Sequence, residues 1–110
     1  MRRGEVRWYT FAAPDKRRPV LLLTRNSALG FLIGITVAPI TTTMRNIPSE
    51  VLLTPAEDGT PQPCVVNVDN LQTVQKAQLG SIITTLTPPR MAEVEQAICF
   101  ALGMDDFVGR

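Results

Sequence analysis

The apolar residues of this chain follow one pattern up to about residue 86 and another after it. In the first part they come in short runs, each broken by turn-forming residues. Runs of that length suit strands, and no helical period lies between them. EVRWYTF (5–11) alternates, with Val6, Trp8 and Thr10 on one side. Pro19 opens VLLLT (20–24), a position where its missing N–H does least harm. FLIGITVAP (31–39) carries Gly34 inside it, which predicts a bulge or a tight bend. EVLLT (50–54), CVVNV (64–68) and LGSIITTL (79–86) are further strand candidates. Three stretches read as connections: the polar loop AAPDKRR (12–18), and the turns RNSALG (25–30) and PAEDGTPQP (55–63).

From residue 87 the period becomes helical. TPPRMAEVEQAICFALG (87–103) places Met91, Val94, Ile98 and Ala101/Leu102 on one stripe. Thr87 suits an N-cap, Pro88 the first helical position and Gly103 the stop. Short strands followed by one helix predict a mainly β (α+β) fold: a small, strongly bent sheet or open barrel capped by that helix. At 110 residues the chain is expected to form one domain over 1–110, with a core that needs no metal or disulfide.

Charge is distributed unevenly. Residues 1–25 carry seven basic groups against Glu5 and Asp15, a balance of +5, while the whole chain is only +1. One basic surface on an acidic body attracts polyanions, RNA or DNA first; the alternative is a solubilising N-terminus. No apolar run is long enough to span a membrane, and the N-terminus lacks the apolar segment of a secretory signal. Cys64 and Cys99 lie among apolar neighbours and read as reduced, buried thiols of a cytoplasmic protein.

The chain has no histidine, so Ser-His-Asp and Cys-His chemistry are excluded, and two cysteines cannot form a structural zinc site. Phosphate-binding glycine loops are absent as well. What remains is arginine, hydroxyl, amide and a few acids, a set suited to holding phosphate. These gather at strand ends: Arg17-Arg18-Pro19, the threonine run of VAPITTTMRN (37–46), and Asp69-Asn70 within NVDNLQTV (67–74). Each taken alone is more often a solvated loop, an edge strand or a turn. Trp8, Tyr9 and Phe11 are core residues or base-stacking surfaces.

The order of these elements resembles the MazF/PemK family of toxin endoribonucleases. Gly-Glu-Val-Arg-Trp (4–8), Arg-Arg-Pro-Val-Leu-Leu-Leu (17–23), Val-Ala-Pro-Ile-Thr (37–41), Val-Asp-Asn-Leu-Gln-Thr-Val (68–74) and the closing Ala-Leu-Gly (101–103) carry the resemblance. It implies an SH3-like barrel and a homodimer. It implies metal- and cofactor-independent cleavage of single-stranded RNA, and an antitoxin whose flexible tail covers the active groove. Arg18 matches the family's catalytic arginine and Thr41 its catalytic threonine. Asp69 and Asn70 match an acid–amide pair at the site, and Lys16, Arg17, Arg25, Asn26, Thr42 and Arg45 are expected RNA contacts. Some members use a histidine in the first loop; this chain has none, which leaves the general base unassigned. Two other expectations stand beside this one: a CcdB-like protein-binding poison on the same fold, and a non-catalytic RNA-binding barrel.

Overall fold

The computed structural model describes residues 1–12 and 16–104; the middle of the expected loop at 12–18, residues 13–15, therefore lies outside the described residues, and residues 17 and 18 already belong to a strand. Seven strands form: β1 (Glu5–Thr10), β2 (Arg17–Leu22), β3 (Gly34–Thr41), β4 (Glu50–Leu53), β5 (Cys64–Asn67), β6 (Gln72–Gln75) and β7 (Ile82–Thr85). They are joined by two single-turn helices, α1 (Asn26–Leu29) and α2 (Pro55–Asp58), and closed by α3 (Pro88–Ala101). Every ladder is antiparallel, in the order β4-β5-β3-β2-β1-β7, with β6 added to β3. The mainly β fold with a C-terminal helix is thus as the apolar pattern predicts, curled into a half-barrel.

The VLL run is explained by position. β2 lies between β1 and β3, and Val20, Leu21 and Leu22 are all fully buried. Successive side chains point to opposite faces, so an unbroken apolar run requires both faces to be covered. One face carries Leu21 with Val6, Ala38, Ile40, Val66 and the α3 residues Met91, Val94 and Ala97. The other carries Val20 and Leu22 with Ile35, Val37 and Val74, flanked by Tyr9 and Phe11. Thr87 caps α3 by accepting the N–H of Arg90, and Gly103 ends it at φ +72°.

Three details differ from the sequence pattern. The turns at 25–30 and 55–63 each contain one helical turn. QTVQ forms β6, which the pattern does not reveal because only Val74 in it is buried. Gly34 makes no bulge; it pairs with Gln75, and a Cβ there would lie 2.8 Å from Thr73 Cγ2, so close strand approach is what requires glycine. The ladder irregularity lies instead at Val6/Arg7, between β1 and β7.

β3 organises the end of the sheet where the candidate residues lie. One edge pairs with β2, through Val20↔Pro39 to Leu22↔Val37. The other edge changes partner, from β6 at Val37↔Gln72 to β5 at Ile40↔Val66. Between these two ladders the chain makes a 3₁₀ turn, Val68–Asn70, beside Ala38 and Pro39. The loop after β3 is held by carboxylates. Glu50, whose side chain is 2% exposed, accepts the N–H groups of Arg45 (2.8 Å) and Asn46 (3.1 Å) and the Arg45 Nε (2.9 Å). Asp69 accepts the Ser49 hydroxyl.

Asp58 ties the two ends of the half-barrel together. Its backbone C=O accepts the Thr84 hydroxyl of β7. Its carboxylate, 3% exposed, accepts the Thr54 N–H and two N–H groups of Arg90 from α3 (2.9 and 3.2 Å). Arg90 also reaches Glu57 and Glu93, and its guanidinium pKa is raised chiefly by the Asp58 hydrogen bond.

Two stability predictions result. Arg90→Ala leaves the Asp58 carboxylate buried without its counter-charge and is expected to cost about 3 kcal/mol in urea denaturation. Adding Asp58→Asn should recover part of that loss; full additivity would show that the pair is not coupled. The second concerns acid. Burial by itself raises the Glu50 carboxyl pKa, but the Arg45 and Asn46 donors outweigh it and the value lies below 4.5. Glu5 is likewise lowered, with burial opposed by the Arg7 hydrogen bond and the Arg2 backbone. A lowered carboxylate stabilises the fold above its unfolded value and loses that contribution as pH falls through its folded value. The thermal midpoint should therefore fall below about pH 4.5, and fall less steeply in Glu50→Gln.

Candidate functional site

The register of β2 on β3 brings the two main candidates together. Continued two residues beyond Val20↔Pro39, it sets Arg18 opposite Thr41. Both continue the face of Val20 and Val37 by alternation, and both are half-buried where the strands leave the core. They form one wall of a cleft of about 420 Å³. Phe11 and Pro39 supply its apolar surface, and Thr43 and Arg45 enter from the loop after β3. Asn67, Asn70 and Gln72 complete it from the 3₁₀ turn and its flanks, where β3 changes partner.

Arg18 differs from Arg3, Arg7, Arg17, Arg45 and Arg90 in its surroundings. Arg3, Arg7, Arg45 and Arg90 each contact a carboxylate, and the Arg17 guanidinium lies 4.3 Å from the centre of the Trp8 ring. Among the described residues Arg18 makes no salt bridge, and the cleft it lines contains no carboxylate. Among the described residues its charge is therefore directed at the cleft and not paired with a carboxylate. Thr41 is oriented: its Oγ1 accepts the Thr43 N–H at 3.2 Å, which leaves its own O–H to donate. Arg45 is held by Glu50 through its Nε and the backbone, so a second guanidinium is fixed on the rim.

The remaining candidates divide. Asn70 lines the cleft, whereas Asp69 does not; its backbone N–H donates to Asn67 Oδ1 and its carboxylate accepts the Ser49 hydroxyl. Lys16, Arg17 and Thr42 line a second cleft, of about 370 Å³, that also contains Arg18 and Thr41. Arg25 and Asn26 line neither. Asn26 accepts the Arg3 N–H at the start of α1, and Arg25 borders a separate hollow with Leu71 and Ile98. Residue pattern alone misses Phe11, Asn67 and Gln72. Phe11 reads as one of several aromatics, and the two amides are flagged only by the gap between β5 and β6. Cys64 borders the second cleft, but burial, helped by the nearby Asp58, raises its thiol pKa and keeps it neutral. Among the described residues no group of three His, Cys, Asp or Glu side chains could hold a metal ion. No helix there is long and apolar enough to cross a membrane.

Comparison with known proteins identifies the family and the fold. Residues 2–102 match the family described as PemK-like, MazF-like toxin of type II toxin–antitoxin system. The probable endoribonuclease MazF2 of Mycobacterium tuberculosis is 39% identical over 103 residues, covering 94% of this chain and 99% of its own. The solved structure of Mycobacterium tuberculosis toxin MazF-mt6 superposes with a TM-score of 0.83 at 38% identity, covering 92% of this chain and 98% of that one. A mycobacterial endoribonuclease solved with its cognate antitoxin gives 0.84 at 29% identity, covering 94% and 96%. With the family matched over nearly the whole length, and the arginine and threonine brought to one strand end, this chain belongs to the PemK-like, MazF-like toxins of type II toxin–antitoxin systems.

Proposed function

We propose that the chain is a sequence-specific endoribonuclease that cleaves single-stranded RNA by transesterification, with no metal or cofactor. The observation that carries this is the half-buried Arg18, without a counter-ion among the described residues, across from an oriented Thr41 hydroxyl. In the reaction the RNA 2′-oxygen attacks the adjacent phosphorus and the bond to the 5′-oxygen breaks. The products are a 2′,3′-cyclic phosphate and a 5′-hydroxyl. Negative charge grows on the non-bridging oxygens, where Arg18 and the Thr41 O–H donate and Arg45 adds a second positive charge. With Asp69 engaged by Ser49 and no histidine in the chain, the described cleft holds neither imidazole nor carboxylate. The 2′ proton therefore passes to a solvent base, and water protonates the departing 5′-oxygen.

The biological role proposed is that of a growth-arresting toxin acting on mRNA in the cytoplasm, as a single domain. An antitoxin tail would cover the cleft; support comes from the relative solved with its cognate antitoxin. A homodimer is proposed as well, supported by Phe100 and Leu102, apolar residues left exposed at the end of α3.

Arg18→Ala and Thr41→Ala should each lower the cleavage rate by about 10²–10³, the usual cost of one lost oxyanion donor. The wild type should keep its activity in EDTA and leave 5′-hydroxyl ends. Full activity in either variant removes that residue from the reaction, and loss in EDTA overturns metal independence. The rate should also rise through neutral pH without an inflection near 6.5, the ordinary histidine value. A protein that leaves mixed-sequence RNA intact would point instead to a protein target or to simple RNA binding.

A further inference from the structure

The second cleft lies across the sheet end from the first. By alternation along β2, Arg18 continues the face of Val20, whereas Arg17 and Pro19 continue the face of Leu21. The same holds on β3, where Ile40 faces one way and Thr41 the other. The two clefts thus meet at Arg18 and Thr41, which line both. An RNA strand with its reacting phosphate at these residues has one neighbouring nucleotide over each cleft.

Their chemistry differs. The first is walled by amides, hydroxyls and guanidiniums. The second has an apolar floor of Pro19, Ile40 and Cys64, with Trp8 on one side. The guanidinium of Arg17 lies on that indole, which makes a flat stack of the kind on which unpaired bases rest. The opposite wall is Thr60 to Gln62. It is firmly built: the Thr60 hydroxyl donates to the Gln62 C=O at 3.0 Å, and Asp58 just before it is fixed by Arg90 and Thr84. Gly59, between them, sits at φ +74°, and a Cβ there would lie 2.8 Å from Thr84 Oγ1. Among the described residues the Gln62 side-chain amide has no hydrogen-bond partner. A carboxamide offers a donor and an acceptor side by side, the pair needed to read a base edge.

We propose that this second cleft is a nucleobase pocket: it takes the base next to the cut, stacks it on the Arg17–Trp8 pair and reads its edge with Gln62. The proposal rests on the endoribonuclease reading and adds a determinant of sequence choice. A phosphate or sugar would not use the apolar floor, whereas a base would.

Two measurements test it on the full chain. In the first, wild type, Gln62→Ala and Gln62→Glu cut a randomised RNA pool, and the cut positions are sequenced. Base preference at one position beside the cut should drop about tenfold in Gln62→Ala, the scale of one base-edge contact, and change to a different base in Gln62→Glu. Preferences elsewhere should stay. Gln62 is exposed, so neither variant is expected to disturb folding. The second uses Trp8, the only tryptophan in the chain, as a reporter. An oligonucleotide of the preferred sequence, with a 2′-deoxy nucleotide at the cut, should quench its fluorescence. Trimming the nucleotide from one side of the cut should abolish the quenching, and trimming from the other should not. Unchanged preference in both variants, or quenching insensitive to trimming, overturns the pocket while leaving the nuclease intact. A wild type that cuts no RNA overturns the nuclease reading, and this one with it.

Discussion

The partner change along β3 is the constraint from which the rest of the structure follows. A strand of eight residues pairs with β2 on one edge and with two separate strands on the other. Where the second edge passes from β6 to β5, the backbone of Ala38 and Pro39 has no partner on that side. Proline suits this place because it has no N–H to leave unpaired. The interrupted ladder opens the sheet at one end. It delivers amides from the 3₁₀ turn to one side of the opening and leaves Arg18 and Thr41 facing each other on the other. The cleft is thus a consequence of sheet topology, and the loops decorate it.

The distribution of carboxylates completes the electrostatics. Glu5, Glu50, Asp58 and Asp69 accept hydrogen bonds inside the fold, from Arg7, the Arg45 loop, Arg90 and Ser49. Each stabilises structure and none enters the cleft. Among the described residues, a basic segment that is partly neutralised elsewhere therefore keeps its charge at Arg18. This agrees with the proposed chemistry, in which the protein stabilises charge on phosphorus and does little proton transfer itself. Glu50 has a double effect: it takes charge from Arg45, yet without it the exposed loop after β3 would have no fixed place on the rim.

Much of this was legible in the residues. The apolar runs announced strands, and the change of period at Thr87 announced α3, because burial imposes a period of two on a sheet and 3.6 on a helix. The strand ends carrying Arg17-Arg18 and the threonine run were legible for the same reason, but Arg18 and Thr41 themselves were singled out only by the resemblance to the MazF/PemK toxins. Asp69 and Asn70 were not separable. They are adjacent in one 3₁₀ turn, and only the turn's orientation decides that Asn70 meets the cleft while Asp69 meets Ser49. Arg25 and Asn26 stood close to β2 in sequence, but α1 carries them away from both clefts. Strand β6 was hidden because a single buried valine leaves no period to detect.

By itself, then, the sequence determined a bent β sheet with one helix, a chain without imidazole chemistry, and an arginine and a threonine at strand ends. Those depend on local patterning and composition, which the order of residues contains directly. Only the tertiary structure decided that the arginine and the threonine stand opposite each other, that Arg17 lines one cleft while the neighbouring Arg18 lines both, and that the described acids nearby are spent on the fold. Those depend on strand register and on the side of the sheet each residue takes, and both are set by long-range pairing that no short stretch of sequence specifies.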